Sequence, residues 1–309
     1  MRGAITILTI LACLSVEAQK MFVPGFEMFN DRFEGAVRKV TETERMNVYE
    51  EGVPTDVETT RIYRYDRDGR LLNYEERREV YAPMRGGVGW MEYRAKYDGE
   101  RLVRVDVYDT YEWVSASHFM YDSLGRMARV ERYEYSPDPY EEFTEVMTAV
   151  TAFVYDGEGR AGVAATFTTD NSVMIERYEY DTCGCVSDVV MQVFSEDALA
   201  WHTVTEYEND SNCNVLSEYE SWPMTGQSRL TSYWHDGHGN IVKMLYADEN
   251  DNVQTNTVEY TYDSAGNWVR KHESSDGYTL LDAKRRIRYY KDSGITRVAE
   301  QTDNHILMR

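Results

Sequence analysis

Between residues 63 and 267 the chain returns eight times to one short pattern. An aromatic residue is followed by Asp, two variable residues, Gly, and then usually Arg or Asn. The Asp positions are Asp66, Asp98, Asp122, Asp156, Asp181, Asp210, Asp236 and Asp263, spaced 24 to 34 residues apart. A recurrence of that length is the mark of repeat architectures, in which one supersecondary unit is copied and stacked. The unit is a β-hairpin. The Asp side chain accepts hydrogen bonds from backbone N–H groups ahead of it, and Gly supplies the positive φ that ends the turn. Gly69, Gly125, Gly159, Gly184, Gly239 and Gly266 fill that position, and Cys213 takes it once. In the second copy Asp98-Gly99 reads as a shorter, two-residue turn.

Side chains alternate along a strand, so the first and third positions before each Asp share a face. Thirteen of those sixteen positions are aromatic, and the exceptions are Ala95, Asn209 and His235. Behind each turn comes an apolar residue, among them Leu71, Leu102, Met127, Val186, Ile241 and Trp268. Copied side by side, the hairpins predict an aromatic and aliphatic ladder at the turn end of a long antiparallel sheet. Helical patterning is almost absent, with only Tyr278 to Arg286 passing for a short helix. The expected fold is therefore all-β: an elongated antiparallel meander forming one twisted, curled sheet, solenoid-like or shell-like.

The pattern resembles the YD repeat of the RHS family, known from the β-stranded shells of bacterial polymorphic toxins and from teneurins. The resemblance covers roughly residues 60–273. Two flanking pieces, Gly35 to Thr43 and Gly266 to Arg270 with Ile287 to Tyr290, look like small secreted YD-repeat proteins of Bacteroidetes-type bacteria. It implies an all-β shell. No toxin domain follows the repeats, so the delivery-cocoon role of the large members is not expected here.

Residues 1–18 read as a signal peptide, with Arg2, an apolar run from Ala4 to Val16, and cleavage after Ala18. The competing reading is a lipobox ending at Cys13, which would anchor the protein through that residue. Both place the protein outside the cytoplasm, secreted, periplasmic or on the envelope. Residues 19–59 are expected to form an N-terminal capping hairpin with a turn near Gly52-Val53-Pro54, 60–277 the repeat array, and 278–309 a C-terminal capping hairpin turning at Asp292-Ser293-Gly294. Nothing divides 19–309, so one continuous domain is expected.

The net charge is −21, and removing residues 1–18 takes away one Arg and one Glu and leaves it unchanged. That sign disfavours nucleic acid, whose phosphates it would repel. No transmembrane span is expected either: an outer-membrane barrel needs a clean lipid-facing band, whereas Arg126 to Tyr135 carries charge on both faces.

The aromatic ladder is the feature from which a function is read. Tyr63, Tyr65, Tyr121, Tyr155, Tyr178, Tyr180, Tyr233, Tyr260, Tyr262 and Trp268 offer flat apolar platforms with hydrogen-bonding tips, suited to sugar faces or extended peptides. If the sheet curls on itself the same rings are core. The expected role is non-catalytic recognition of a glycan or an envelope protein, or envelope scaffolding. A polysaccharide-acting hydrolase and a purely structural shell are the alternatives. No catalytic residue stands out and no cofactor is expected. A calcium loop is the one metal candidate: Asp248, Asn250, Asn252, Asn256 and Glu259 fall at EF-hand ligand spacings, although Val253 stands where that loop needs Gly. His235 and His238 are explained by the repeat register without a metal. Cys185 and Cys213 lie in consecutive turns at one end of the sheet, a spacing that permits a disulfide in an oxidising compartment. The sequence leaves ligand and oligomeric state open.

Overall fold

The computed structural model describes residue 28 and residues 33–50, 53–81, 87–110, 112–136, 144–196, 198–248, 250 and 252–291. Among these, eighteen strands follow one another: β1 Val37–Glu50, β2 Val53–Tyr65, β3 Leu71–Tyr81, β4 Gly87–Asp98, β5 Arg101–Asp109, β6 Glu112–Tyr121, β7 Met127–Ser136, β8 Thr144–Tyr155 and β9 Ala161–Thr168. The second half is β10 Val173–Tyr180, β11 Val186–Ser195, β12 Ala198–Asn209, β13 Val215–Trp222, β14 Gln227–His235, β15 Ile241–Asp248, β16 Val253–Tyr262, β17 Trp268–Ser275 and β18 Tyr278–Tyr289. Each strand pairs antiparallel with the next, and β1 pairs with β18 as well as with β2.

That last pairing corrects the expected fold. The sheet is a closed eighteen-stranded barrel, not an elongated open sheet. In the closing ladder Val40 lies opposite Ile287 and Thr43 opposite Lys284. The terminal strands β1 and β18 are not two free edges. They pair with each other, which removes the edges that capping would have had to protect. The segment Tyr278 to Arg286 is strand. The proposed turns at Gly52 and at Asp292-Ser293-Gly294 lie outside the described residues.

The repeat explains the closure. At every YD turn the ladder slips by one residue just before the aromatic position: between Arg64 and Tyr65, Lys96 and Tyr97, Met120 and Tyr121, Val154 and Tyr155, and at the four later copies. A bulge bends its strand and increases the local twist. Eight bulges at one level, on alternate hairpins, bend the sheet in the same sense each time until its ends meet.

The face that carries the ladder points inward. Tyr121, Phe153, Tyr155 and Tyr180, from β6, β8 and β10, line one common cavity. Val40, Leu102 and Val105 on the same face are fully buried. Two clusters make up the core. One joins Leu102, Val105, Val107, Phe119, Met127 and Val130, and the other Val37, Val40, Tyr63, Tyr65, Leu71 and Tyr74. Met28 packs against both and Phe33 against the second, so the approach to β1 fills part of the interior. Farther from the YD turns the inner wall becomes charged. Arg61 bridges Glu42, Glu44 and Glu76 at 2.9, 2.9 and 3.1 Å.

Candidate functional site at the YD mouth

All eight YD turns lie at one rim of the barrel, and all but the shorter Asp98 turn are built alike. In the Asp122 turn Oδ1 accepts from the N–H groups of Leu124 and Arg126, both at 2.9 Å, and Oδ2 accepts from Arg126 Nε at 2.8 Å. The Asp66 and Asp156 turns repeat this with Arg70 and Arg160. The carboxylates are thus consumed by their own turns. Backbone donors, foremost that of Arg126, hold the Asp122 carboxyl below its usual range, and Arg160 does the same for Asp156. At Asp210 the Asn214 side chain is the main cause.

A lowered Asp pKa stabilises the fold above the unfolded value of about 3.9, and that contribution is lost as pH falls through the folded value. The half-buried carboxyls of Glu176 and Glu218 are raised by desolvation and act in the opposite sense, favouring the protonated fold. The urea midpoint is therefore expected to change little between neutrality and about pH 5 and to drop below about pH 4, as the turns protonate. Asp122→Asn should flatten that acid limb; an unchanged limb would show that the turn carboxylates do not govern acid stability.

Adjacent turns are joined by the ladder residues. The Tyr before each Asp reaches back one repeat. Tyr97 Oη donates to the Leu71 carbonyl at 2.9 Å, Tyr121 to Leu102 at 2.8 Å, Tyr155 to Met127 at 2.6 Å and Tyr180 to Ala161 at 2.8 Å. Over each ring lies the Arg of the preceding turn: Arg70 over Tyr97, Arg101 over Tyr121, Arg126 over Tyr155 and Arg160 over Tyr180. In the next seam Asn209 Nδ2 bonds the Val186 carbonyl at 2.8 Å, and the Cys185–Cys213 disulfide links the two turns. Where Asn replaces Arg the phenol inserts differently. Tyr262 donates to Asp236 and accepts from Asn240 at 2.8 Å, and Tyr289 does the same with Asp263 and Asn267. Tyr290 closes the ring by bonding the Tyr65 carbonyl at 2.8 Å, beneath Arg67.

The expected binding residues therefore have other partners in the structure. Tyr63 and Tyr65 are buried; Tyr121, Tyr155, Tyr178, Tyr180, Tyr233, Tyr260, Tyr262 and Trp268 are half-buried on the inner wall. Trp268 lies under the guanidinium of Arg285 at 3.6 Å. The calcium set is not brought together. Asp248 accepts from the backbone of Asn250 and Asn252 in a tight turn at the opposite rim. Asn256 is buried on β16 and bonded to Glu273, whereas Glu259 is exposed on the other face. No group of three or more His, Cys, Asp and Glu suited to a metal occurs among the described residues.

Cavities open at this rim between the described residues, and two of them bear on function. The larger, about 1070 Å³, lies beneath the turns from Asp68 to Gly184 and is lined by Phe153, Met127, Tyr121, Tyr155 and Tyr180 together with Arg101, Arg126 and Arg160. Among the described residues Arg101 has no carboxylate within ion-pair distance, because its shorter turn does not present Asp98 as the other turns present theirs. Its Nη2 lies 2.9 Å from where a Cβ on Gly125 would stand, so any side chain at 125 would displace it. The smaller cavity, about 740 Å³, sits between the Asp210 and Asp236 turns. Reading the sequence as a uniform ladder missed both: the larger is walled by five successive repeats, and the smaller lies where His235 departs from the consensus.

No protein-family model and no curated protein matches the chain. Solved structures with some likeness include a porin-like protein from Bacteroides uniformis, 10% identical with a TM-score of 0.46, covering 83% of this chain and 98% of that one. A porin-like protein from Bacteroides vulgatus is 15% identical with a TM-score of 0.41, covering 84% and 100%. The Tc holotoxin pore of Photorhabdus luminescens is 14% identical with a TM-score of 0.23; the match covers 80% of this chain and 15% of that one. Likenesses this distant carry no argument about function, which rests on the site itself.

Proposed function

We propose that the protein is an extracytoplasmic, non-catalytic recognition barrel that binds a glycan at its YD mouth. The observation that carries this reading is the cavity of about 1070 Å³ walled by Phe153, Tyr121, Tyr155 and Tyr180. It is at the upper end of ligand-pocket sizes, roughly 300–1000 Å³. Half-buried phenols and stacked guanidinium groups suit the alternating apolar and hydroxylated faces of sugars. The Cys185–Cys213 disulfide supports an oxidising compartment.

The outward faces of several strands argue against a lipid-embedded pore. Asp282, Lys284, Arg286 and Arg288 alternate along β18, Arg94 and Lys96 along β4, and Glu206 and Glu208 along β12, all exposed. Each Arg or Lys at a bilayer midplane would cost about 2–4 kcal/mol.

The test is binding of the purified protein to a panel of bacterial and host polysaccharides, with calcium and again with EDTA. Saturable binding weakened by Arg101→Gln is expected, since that change leaves the ion pairs of the turns intact. EDTA should have no effect. A blank panel with a folded protein would overturn glycan recognition in favour of a structural shell.

A further inference from the structure

The ring of seams around the mouth has one break. Every other seam is closed by a Tyr or Asn that reaches into the preceding turn. At the Asp210 turn the residue in that position is His235, and among the described residues it makes no hydrogen bond across the seam.

The two neighbouring Asn-type seams show what is missing. There a phenol hydroxyl sits between the turn's Asp carboxylate, to which it donates, and its Asn amide, from which it accepts. At the broken seam no hydroxyl arrives, and Asn214 Nδ2 turns back onto Asp210 Oδ2 at 2.8 Å. Imidazole is shorter than phenol and carries no hydroxyl, and a cavity of about 740 Å³ opens beside it. Asp210, Asn212, Asn214 and Ser232 supply its polar groups, with His235 and Trp234 among its walls. Trp234 is 44% exposed. His238, also lining it, is held by stacking on Tyr262 with ring centroids 4.0 Å apart.

We propose that this seam is a saccharide subsite, in which a ring hydroxyl of the sugar takes the place of the missing phenol hydroxyl between Asp210 and Asn214. In the unliganded turn the amide bonds the carboxylate directly, so the sugar hydroxyl would insert between them as the phenol hydroxyl does in the next two repeats. Trp234, with Lys243 Nζ 4.6 Å from its ring centroid, is the apolar surface against which a sugar face would stack. A local departure from an otherwise consistent pattern is where function is expected to override stability. The inference rests on glycan recognition at the mouth and names the place where one sugar unit is held.

The decisive variant is His235→Tyr, which restores the repeat and so should fold. It is expected to raise the thermal midpoint by closing the seam and to weaken saccharide binding at least about tenfold, the scale of one good hydrogen bond lost. His235→Ala keeps the opening, because its side chain is too short to reach across the seam, and should bind as the parent does. The probes are glucose, galactose, mannose and N-acetylglucosamine, with p-cresol as a phenol, followed by calorimetry and by amide shifts of Asn212 and Asn214. Loss of saccharide binding in His235→Tyr but not in His235→Ala supports the subsite. Unchanged binding in His235→Tyr, or p-cresol binding where no sugar does, overturns it. If polysaccharide binding survives His235→Tyr but falls with Arg101→Gln, the seam assignment fails while recognition at the mouth stands. If no saccharide of either panel binds, both fail.

Discussion

Arg285→Met is expected to destabilise the barrel by about 3 kcal/mol, at the lower end of the cost of breaking a buried ion pair. Arg285 projects from β18 to Glu42 on β1, with Nε 2.6 Å from Oε2, and the two side chains are only 10% and 6% exposed. The pair therefore bridges the seam that closes the barrel. The guanidinium also lies 3.6 Å from the centroid of Trp268 and 5.0 Å from that of Phe33. Met fills similar volume but leaves Glu42 buried with Arg61 as its remaining cation. Because Arg61 remains, the loss should fall short of the 5 kcal/mol or so seen when a pair is wholly orphaned. Urea unfolding measures the size, and hydrogen exchange at Thr41 and Arg286, opposite each other in the closing ladder, locates it. Adding Glu42→Gln should recover part of the loss, because the uncompensated charge goes with it. An Arg285→Met midpoint equal to the parent's would mean that backbone pairing alone holds the closure.

Replacing both Cys185 and Cys213 by Ser is expected to cost about 3.5 kcal/mol, from the chain entropy released when a loop of this length is opened. The bridge spans 28 residues. It also stands in for two features the repeat has lost there. Cys185 occupies the Arg position and Asn209 the Tyr position, so this seam has neither the guanidinium stack nor the Tyr hydroxyl of its predecessors, while Cys213 occupies the Gly position. Cys213 is held at φ +61°, in the left-handed region. Cys185→Ser with Cys213→Gly should therefore lose about 1 kcal/mol less than the double Ser variant, since Gly adopts that backbone without the side-chain penalty. Equal losses in the two variants would show that turn strain has no part in the effect. Cys183 is exposed and outside the bridge; it is best replaced by Ser in both backgrounds to prevent thiol exchange.

The turns and the ladder were legible in the sequence because both are local. Asp with Gly three residues on specifies a turn whose donors all lie within four residues, and period-two aromatics specify which face is apolar. The pairing of Cys185 with Cys213 was within reach for the same reason, since repeat alignment places the two in consecutive turns. His235 was visible as a departure from the ladder, but in sequence it looked like an ordinary substitution. Its meaning came from the phenols of Tyr262 and Tyr289, whose bonds to the neighbouring Asp and Asn show what an imidazole fails to reach.

By itself, then, the sequence determined an all-β chain of repeated hairpins, an aromatic face and the end at which the turns gather. Closure was decided only in three dimensions. Each bulge adds a small bend that no single repeat reveals, and the pairs that complete the circle, such as Val40 with Ile287, are remote in sequence and tied to no local motif. The same holds for the mouth. Whether the rings are platforms or struts depends on which backbone carbonyl each hydroxyl meets one repeat earlier, and that is fixed by the register and curvature of the whole barrel.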